Sequence, residues 1–487
     1  MRLHDFFSDA PYDTEILSIE NDSRNAEVGV LFVAYAGFEK DLHVFVPDAY
    51  RRGCRYFVVS DSRKQEFADQ FPDALFFGSD NLPKELSRLV LEFYAYPDRK
   101  LCLIGVTGTN GKTTTATLID TALRNLGEQT AFFGTTEWRI GLESLPALNT
   151  TPDLLTLVRM LKSAEDSQIK FVIMEVSSHA LSLGRVEGLA FDCAIFTNLT
   201  QDHLDFHETI EDYFLAKRRF FTDILGPSPK KNKKAFINAD CPYGQQILQV
   251  LGERGVPSES FSLENAGSLN ALVYEISAQG SRFEVSGETL STSIPGLVNV
   301  YNTLAAYAVL KYLQFNQAAE ALESVQVPGR MQKLTAPDRV VFVVDYAHTP
   351  DALKQAVAVL KMVQTEDTRL ITVFGSGGDR DKTKRPLMAQ AVLESDAIIV
   401  TSDNPRTEDP QSIIDDILGG FPKMRQNLYV EPDRAKAVHL AYSLAEPGDI
   451  VLVAGKGHEK YQIIGTEKIY FSDEQCIQNL WGREGGL

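Results

Sequence analysis

The chain has 487 residues, of which 44% are hydrophobic and 23% are charged, a composition typical of globular proteins. No stretch reaches the roughly 18 consecutive apolar residues that a membrane-spanning helix needs, and the opening MRLHDFFSDAPYDTE lacks the apolar segment of a secretory signal. A formal net charge of −18 without a long basic run argues against a nucleic-acid partner. We therefore expect a cytoplasmic enzyme of about three domains, without membrane insertion, that holds anionic ligands in local basic pockets.

The cysteines are odd in number, lie far apart and form no CxxC pair. This pattern disfavours both a disulfide framework and a structural zinc site. We expect reduced and mostly buried thiols at Cys54, Cys102, Cys193, Cys241 and Cys476.

Residues 1–98 contain strand-like runs, such as VGVLFVAYAG and CRYFVVS, and a helix-like run, LPKELSRLVLEFY. They predict a small α/β domain, followed by a linker at Tyr96-Pro97-Asp98. Within this domain NDSR lies in a polar turn. Ser23 could bind an anionic ligand or only cap the turn, and the residues alone favour the cap.

The stretch LCLIGVTGTNGKTTTATLIDTALRNL, residues 101–126, changes from a strand-like apolar run to a helical repeat at the turn GTNG, residues 108–111. Glycines let backbone N–H groups point inward, so this turn and the helix start form a cradle for phosphate oxygens. Lys112 would reach the β- and γ-phosphates, and the Thr113 hydroxyl would bind Mg²⁺. Val106 replaces the first Gly of the general P-loop pattern, but the strand–GKT–helix context still predicts nucleoside triphosphate binding.

From about residue 99 to 327 strands and helices alternate, which predicts a mostly parallel sheet with ligands at the carboxyl ends of its strands. One strand, FVIM, ends at Glu175, and another, CAIFTNL, ends shortly before His203. Both side chains are candidate ligands for a phosphate-bound Mg²⁺, although an imidazole ligand would be unusual for this ion. Helix caps and ordinary rim residues are an equally weighted alternative.

Three further segments complete this region. EDYFLAKRRFF, residues 211–221, predicts an amphipathic helix, and a solvated basic face is the ordinary interpretation of its Lys217. Residues 260–296 switch to period-two alternation, which predicts antiparallel strands. GLVNVYNTLAAYAVLKYL then predicts a helix with Asn299 and Asn302 on one face of its first turn.

Pro328-Gly329-Arg330 is a hinge-like break. After it, RVVFVVDYAHTP, RLITVFGSGGDRD, AIIVTSDNPRTEDP and DIVLVAGKGHE each predict a strand that ends in a polar or Gly-rich loop. This pattern predicts a Rossmann-like domain over residues 328–487, with those loops at one edge. Arg380 stands where a dinucleotide fingerprint has Gly or Ala, so a nicotinamide site is disfavoured.

In order and spacing, these motifs resemble those of the Mur ligase family. The matching motifs are GTNGKTT, NTTPD, MEVSSHAL, TNLTQDHLDFH, AKRRFF, GLVNVYNTLAA, PGR, DYAHTPDAL, GSGGDRDKTKRPLM, DNPR and GKGHE. The resemblance extends over the whole chain and is closest to the branch that adds the third residue of the peptidoglycan peptide. It implies a three-domain α/β fold: a small UDP-sugar-binding domain (1–98), a central P-loop ATPase-like domain (99–327) and a Rossmann-like amino-acid-binding domain (328–487).

The resemblance also implies the reaction. ATP would phosphorylate the terminal carboxylate of a UDP-N-acetylmuramoyl dipeptide, and the amine of meso-diaminopimelate would attack the acyl phosphate. Mg²⁺ would be the cofactor. The implied ATP-binding residues are Gly108, Thr109, Asn110, Gly111, Lys112, Thr113, Thr114, Asn302, Arg330 and Asp345, and the implied metal ligands are Thr113, Glu175, His203 and Lys217.

For the UDP-sugar substrate the resemblance implies Ser23, Asn149, Thr150, Thr151, Ser177 and Arg185. Leu183 and Phe38 stand where many relatives have Gln and His, so the contacts of those polar groups do not carry over. For the amino acid the implied residues are Arg380, Asp403, Asn404, Pro405, Arg406, Gly455 and Glu459.

Under this resemblance Lys217 acquires a different role. Its family counterpart carries a carbamate formed with CO₂, which converts a cation into a ligand for a second Mg²⁺. Carbamate formation needs a neutral amine, so the pKa of Lys217 would have to be lowered. The implied catalytic residues are Lys112, Lys217, Glu175 and His203.

Several alternatives remain at this point. L-lysine or L-ornithine could replace diaminopimelate, and a folylpolyglutamate synthetase-like ligase is a more remote possibility, disfavoured because NDSR and DNPR have no expected role there. A P-loop ATPase that regulates or assembles without ligation is a different class of hypothesis. We expect a monomer.

Overall fold

The computed structural model describes residues 1–37, 40–203, 206–264, 266–277, 280–422 and 426–482. Phe38, one of the two departures from the family pattern, lies outside these ranges. The chain forms two compact units: residues 1–270 with 308–313, and residues 271–307 with 314–487. The domain boundaries predicted near residues 98 and 327 stay predictions.

The first part of unit one is a small parallel sheet covered by helices, as predicted. Its strands pair in the order β1-β2-β3-β4, and the central strand VLFV is buried throughout because both faces of the sheet are packed. The elements are α1 (Leu3–Phe6), β1 (Ser18–Glu20), β2 (Val30–Val33), α2 (Val46–Arg51), β3 (Tyr56–Ser60), α3 (Asp61–Gln70), β4 (Leu75–Ser79) and α4 (Leu82–Phe93).

The predicted linker at residues 96–98 is wrong. Pro97 begins a short helix, α5 (Pro97–Lys100), and Pro97 and Asp98 are both buried. The Asp98 carboxylate accepts a hydrogen bond from the Ala190 amide at 2.8 Å. The small sheet and the following sheet also share one hydrophobic core. This core includes Leu31 of β2, Leu89 of α4 and Val172 of the following sheet.

The larger sheet of unit one is parallel in its centre. Its strands pair in the order β12-β11-β10-β5-β9-β6 in parallel, and β7 and β8 then extend the edge in antiparallel fashion. The elements are β5 (Cys102–Thr107), α6 (Lys112–Asn125), β6 (Thr130–Phe133), β7 (Trp138–Ile140), β8 (Glu143–Leu145), α7 (Leu154–Asp166), β9 (Phe171–Glu175), α8 (Ser178–Ser182), β10 (Cys193–Phe196), α9 (Ile210–Arg219), β11 (Lys234–Asn238), α10 (Pro242–Arg254) and β12 (Ser258–Ser262).

Two elements pass from one unit into the other. The strand β13 (Leu269–Ser277) pairs with β12 through Leu269 and Asn270 and then enters unit two. There it forms the predicted antiparallel segment with β14 (Gly280–Val285) and β15 (Glu288–Thr292). Because these strands are antiparallel, the larger sheet as a whole is mixed rather than purely parallel. The helix α11 (Leu297–Tyr312) follows as predicted, and it is the second element that passes between the units.

The rest of unit two is the predicted Rossmann-like fold. Its main sheet has the order β16-β17-β21-β18-β19-β20, in which only β16 pairs in antiparallel fashion among the described residues. The elements are α12 (Ala318–Glu323), β16 (Gln332–Thr335), β17 (Val341–Asp345), α13 (Pro350–Val363), β18 (Leu370–Phe374), α14 (Lys384–Ala391), β19 (Ala397–Val400), α15 (Pro410–Leu418), β20 (Leu428–Val430), α16 (Arg434–Leu444), β21 (Ile450–Ala454), β22 (Tyr461–Ile464), β23 (Glu467–Tyr470) and α17 (Asp473–Gly482).

In this second sheet the carboxyl ends of β17, β18, β19 and β21 lie at one edge, because these strands run parallel. The strands end at Asp345, Phe374, Val400 and Ala454, directly before the predicted ligand loops. The fully buried ion pair between Arg434 and Asp473, with an N–O distance of 2.8 Å, connects the starts of α16 and α17.

The five cysteines are free thiols, three of them buried and two half-buried, as predicted. Among the described helices, none is both long enough and apolar enough to cross a bilayer.

Candidate active site

The turn at residues 108–111 is held tightly against the segment that follows β10. The amide of Thr109 donates to the Asn198 carbonyl at 2.8 Å, and the amide of Asn110 donates to the Asn198 side chain at 2.9 Å. A Cβ on Gly108, whose φ is +152°, would lie 1.9 Å from the Thr197 hydroxyl. Glycine is therefore required here for the close approach of the two loops, which fixes the shape of the phosphate cradle.

The cationic side chain of the cradle is folded onto its own loop. The Lys112 Nζ donates to the carbonyls of Gly108 and Thr109, both at 2.9 Å. Carbonyl oxygens are the kind of partner that anionic phosphate oxygens can replace. Thr114, the last predicted residue of the loop, is buried in the first turn of α6.

Thr113 and Glu175 are brought into direct contact, as the sequence pattern requires. The Thr113 hydroxyl donates to Glu175 Oε2 at 2.9 Å, and both residues are buried. Thr135, at the end of the neighbouring β6, donates its amide to Glu175 Oε1 at 2.8 Å. Thr135 was missed from the sequence, although its place at a strand end next to β9 could have indicated it.

These oxygens fit Mg²⁺, which prefers hard oxygen ligands and keeps several waters or phosphate oxygens. Among the described residues, no group of three or more His, Cys, Asp or Glu side chains is arranged as a metal cage. A metal at this place would therefore rest on Thr113, Glu175 and non-protein oxygens.

His203 has the left-handed backbone φ of +54° and a half-exposed side chain. Its ring lies 4.9 Å from the His179 ring and 6.1 Å from the Tyr213 ring, centre to centre. The histidine belongs to an aromatic cluster beside the cradle, and an imidazole remains an unusual ligand for Mg²⁺.

Lys217 is buried, with 1% of the residue exposed, so the ordinary interpretation of a solvated basic face is wrong for this residue. Its Nζ donates to the Gly108 carbonyl at 2.8 Å and lies 4.5 Å from the Tyr213 ring centre. Burial lowers the pKa of Lys217 well below its ordinary value, the Lys112 cation lowers it further, and Asp202 opposes the shift. The fold therefore places a buried amine with a lowered pKa against the phosphate cradle.

Most residues predicted for the UDP-sugar are brought together next to Glu175. The Thr151 hydroxyl donates to the Glu175 carbonyl at 2.8 Å and accepts from the Ser177 amide at 3.1 Å. The Arg185 guanidinium donates to the Thr151 carbonyl at 2.9 Å. Thr150 accepts from the Thr135 hydroxyl at 3.1 Å, and the Asn149 carbonyl accepts from the Trp138 indole at 3.1 Å.

Ser23 does not cap its turn. The cap is Asp22, whose side chain accepts from the Arg24 amide, so the favoured structural interpretation of Ser23 is wrong. Ser23 instead lies close to Asp48 and lowers the pKa of its carboxyl. Leu183, the other departure from the family pattern, ends α8 and is half-buried.

In unit two, Asn302 and Asn299 share one face of α11, as predicted, with the Asn302 amide donating to the Asn299 side chain at 3.0 Å. Arg330 lies over the Tyr346 ring at 4.7 Å. Asp345 accepts from the Met331 amide at 2.7 Å, burial raises the pKa of its carboxyl, and the Arg330 guanidinium opposes that shift.

The loops of unit two that were predicted to bind the amino acid contain a cation that the sequence pattern did not reveal. Lys456 is fully buried, and its Nζ lies 3.4 Å from Asp403 Oδ1, 3.2 Å from Glu459 Oε2 and 3.0 Å from Asn404 Oδ1. The Asn404 amide also donates to Glu459 at 3.0 Å. The two carboxylates that the resemblance implies for the amino acid, Asp403 and Glu459, are therefore already paired with a resident ammonium.

The remaining predicted residues surround this cluster. Gly455 has φ of +115°, and a Cβ there would make an ordinary van der Waals contact of 3.5 Å with the Asp403 carboxylate. Arg406 follows Pro405 in the left-handed region with φ of +51° and donates through Nη1 to the Gly378 carbonyl at 2.7 Å. Arg380 is exposed, and its guanidinium contacts the Asp379 carbonyl at 3.5 Å.

Two protein-family models match separate parts of the chain. The model of the Mur ligase middle domain matches residues 106–310, and that of the Mur ligase glutamate ligase domain matches residues 329–457. A curated relative from Fusobacterium nucleatum is 39% identical over 480 residues, covering 98% of this chain and 95% of its own. A relative from Nostoc sp. is 42% identical over 475 residues, covering 95% and 93%.

The chain belongs to the Mur ligase family. Both relatives are named UDP-N-acetylmuramoyl-L-alanyl-D-glutamate–2,6-diaminopimelate ligase. A solved structure of a ligase of that name is 30% identical, covers 100% of both chains and superposes with a TM-score of 0.70. The Mycobacterium tuberculosis folylpolyglutamate synthase, at 17% identity, a TM-score of 0.62 and coverage of 80% of this chain and 94% of its own, shares the fold alone. The predicted three-domain α/β class is thus confirmed for this Mur ligase.

The buried amine of this Mur ligase generates a stability prediction. In buffer freed of CO₂, Lys217→Met should raise the free energy of unfolding at about pH 7, since a thioether costs less to bury than an amine. An unfolded lysine has a pKa of about 10.4. The pKa of Lys217 is lowered in the fold, so between that lowered pKa and about 10.4 the unfolded wild type binds more protons than the folded protein. The free energy of unfolding of the wild type therefore rises with pH over this range.

The advantage of Lys217→Met should therefore shrink between about pH 7 and about pH 10. Urea denaturation followed by circular dichroism measures it, with Lys436→Met, at a side chain that is 72% exposed, as the matched control. An advantage that stays constant with pH would contradict a lowered lysine pKa.

Proposed function

We propose that this Mur ligase is an ATP-dependent amide ligase of peptidoglycan synthesis that joins 2,6-diaminopimelate to UDP-N-acetylmuramoyl-L-alanyl-D-glutamate. The observation that carries this proposal is the similarity to ligases of that name over nearly the whole chain, 39% over 480 residues in one case. We further propose the meso stereoisomer as substrate and the cytoplasm, where ATP is made, as the place of the reaction.

In the first step the γ-phosphoryl group of ATP passes to the terminal carboxylate of the dipeptide, which leaves ADP and an acyl phosphate. The backbone amides of the cradle and Lys112 neutralise the phosphates, since phosphoryl transfer depends mostly on positioning and charge stabilisation. Residues 149–151, Ser177 and Arg185 are assigned to the UDP-sugar, because Thr151 contacts Glu175, and Ser177 and Arg185 contact Thr151. Ser23 is assigned to the UDP end.

Mg²⁺ would be held by the Thr113 hydroxyl and the Glu175 carboxylate, with His203 at the edge of the site. When bound, it would supply positive charge to the phosphate oxygens during transfer. The contacts of Thr135 with Glu175 hold that carboxylate toward Thr113. We assign Asn302, Arg330 and Asp345 of unit two to the nucleotide.

In the second step an amine of diaminopimelate attacks the acyl carbon, the C–N bond forms, inorganic phosphate leaves and the amine gives up a proton. The amino acid is assigned to Arg380, Asp403, Asn404, Pro405, Arg406, Gly455 and Glu459. The buried Lys456 changes the charge balance of this set. Its single positive charge offsets one of the two carboxylates, so the cluster of Asp403, Glu459 and Lys456 keeps a net charge of about −1 for a substrate ammonium.

The experiment that tests the function is a screen of ADP formation with different amino acids, with and without the UDP-dipeptide. ADP should form rapidly only when the UDP-dipeptide and diaminopimelate are both present. Equal use of L-lysine or L-ornithine would move the assignment to another branch of the family. ADP formation at the same rate without the UDP-dipeptide and without an amino acid would instead indicate an ATPase without ligation.

We propose that Lys217 carries a carbamate in the active enzyme. The support is the buried Lys217 amine, which lies beside the Gly108 carbonyl. Because its pKa is lowered, this amine is more readily nucleophilic toward CO₂. With ¹³C-labelled bicarbonate, the wild type should show a carbamate ¹³C resonance that is missing in Lys217→Met. Lys217→Ala should lose activity and regain part of it with millimolar short carboxylic acids. Activity of Lys217→Ala equal to that of the wild type would contradict this assignment.

We propose that Arg406 selects diaminopimelate over L-lysine. The two amino acids share the reacting amine, and only diaminopimelate has a second carboxylate at its far end. The planar guanidinium fork suits a carboxylate, and a site built for such a group can reject the analogue lacking it by roughly 10⁴-fold.

Accordingly, Arg406→Ala should lower kcat/KM for diaminopimelate at least about tenfold, equal to about 1.4 kcal/mol, while kcat/KM for lysine changes little or rises. Steady-state kinetics with both amino acids measures this. A parallel loss for both would assign Arg406 to general folding rather than to selection.

A further inference from the structure

Two loops of unit two touch along their backbones next to Arg406. The Gly378 amide donates to the Asn404 carbonyl at 2.9 Å, and the Arg406 Nη1 donates back to the Gly378 carbonyl at 2.7 Å. A Cβ on Gly378 would lie 1.9 Å from the Pro405 carbonyl oxygen. The absence of a side chain at this position lets the loops after β18 and β19 meet.

Both loops hold a non-glycine residue in the left-handed region at this contact. Asp379 has φ of +52° and Arg406 has φ of +51°. This conformation is costly for a residue with a Cβ and persists where the surroundings hold it in place.

Side chains next to these residues supply that support. The Thr407 hydroxyl donates to the Asp379 carboxylate at 2.9 Å, and the Thr407 amide donates to it at 3.2 Å. In return, the Asp379 amide donates to Glu408 Oε1 at 2.6 Å. Asp379, Thr407 and Glu408 thus form a reciprocal latch between the two loops.

The latch is anchored in the body of the unit. Glu408 receives hydrogen bonds from Arg385 at 2.8 and 3.1 Å, and the Arg385 side chain is fully buried. These partners lower the pKa of Glu408 to about 2, so its carboxylate is ionised at any working pH. Arg385 also donates to Asp416 of α15 at 2.8 Å, which fixes the guanidinium from a second side.

The β22–β23 hairpin fixes the backbone of Arg406 from the other side. The Arg406 amide donates to the Ile463 carbonyl at 3.1 Å, and the Gly465 amide donates to the Arg406 carbonyl at 2.7 Å. With both peptide groups and Nη1 engaged, the guanidinium has little freedom to turn.

We propose that the latch formed by Asp379, Thr407 and Glu408 is a specificity-determining device that positions the Arg406 guanidinium for the second carboxylate of the amino-acid substrate. This inference rests on the proposed function. A fork that is held in place before the substrate arrives loses less conformational entropy on binding, so the carboxylate gains more from it. A loosened fork would still carry its charge but would discriminate less between substrates with and without that carboxylate.

The test uses Thr407→Val, which removes the hydroxyl at nearly constant volume, and Asp379→Asn, which removes the charge in a residue that tolerates the left-handed region. Thr383→Val is the matched control. Thr383 makes the same kind of contact on the same loop, donating its hydroxyl to Asp381 at 2.6 Å, without bridging to residues 404–408.

Each latch variant should raise KM for diaminopimelate about tenfold with kcat within about twofold of wild type, and should lower the preference for diaminopimelate over lysine by the same factor. Thr383→Val should leave both values unchanged. In an Arg406→Ala background, Thr407→Val should have no further effect on KM, because the latch acts through Arg406.

Latch variants that behave like Thr383→Val would overturn the proposal, and so would a tenfold effect of Thr407→Val that persists without Arg406. These outcomes differ from failure of the proposed function, in which the wild type itself would not use diaminopimelate.

Discussion

The parallel pairing of β5 with β9 on one side and β10 on the other is the constraint on which the catalytic side of unit one depends. Three buried strands that run in one direction must release their chains at the same edge. The phosphate turn, Glu175 and the segment at Thr197 and Asn198 meet for this reason. Their hydrogen bonds then refine an approach that the strand order has already imposed.

Unit two follows the same rule. The strands β17, β21, β18 and β19 are neighbours in one parallel sheet, and each is followed by a loop with ligand-type side chains. Here two loops also bind each other: Gly378 meets Pro405, and Asp379 meets Thr407. A strand end alone gives a loop its place to within a few ångströms, whereas contacts between loops determine the direction of a guanidinium such as that of Arg406.

What could be predicted from the sequence follows this division. The strand–turn–helix at residues 101–126, the contact of Thr113 with Glu175 and the Rossmann-like strands that end in loops at one edge depend on local pattern and chain direction, so they were predictable. The burial of Lys217 was not, because AKRRFF has the composition of a solvated face and only the surrounding elements remove it from water.

The same limit applied elsewhere. Lys456 was missed because its three partners lie on two loops that are about fifty residues apart in the chain. The supposed linker at Pro97 failed for a similar reason, since the partner of Asp98 is the distant Ala190 amide. Side chains whose surroundings come from remote segments need the fold before their state can be inferred.

The buried cations of the chain differ in a way that fits their proposed roles. Arg385 is paired with two carboxylates, and Lys456 lies between two others, so each of these buried side chains has acidic partners. Lys217 makes no ion pair within the part of the chain that the structure describes, and its hydrogen bond goes to a neutral carbonyl.

A cation that must only balance charge or hold a loop is best supplied with carboxylates. An amine that must react has to be kept from protonation, and withholding such partners in a buried place achieves this.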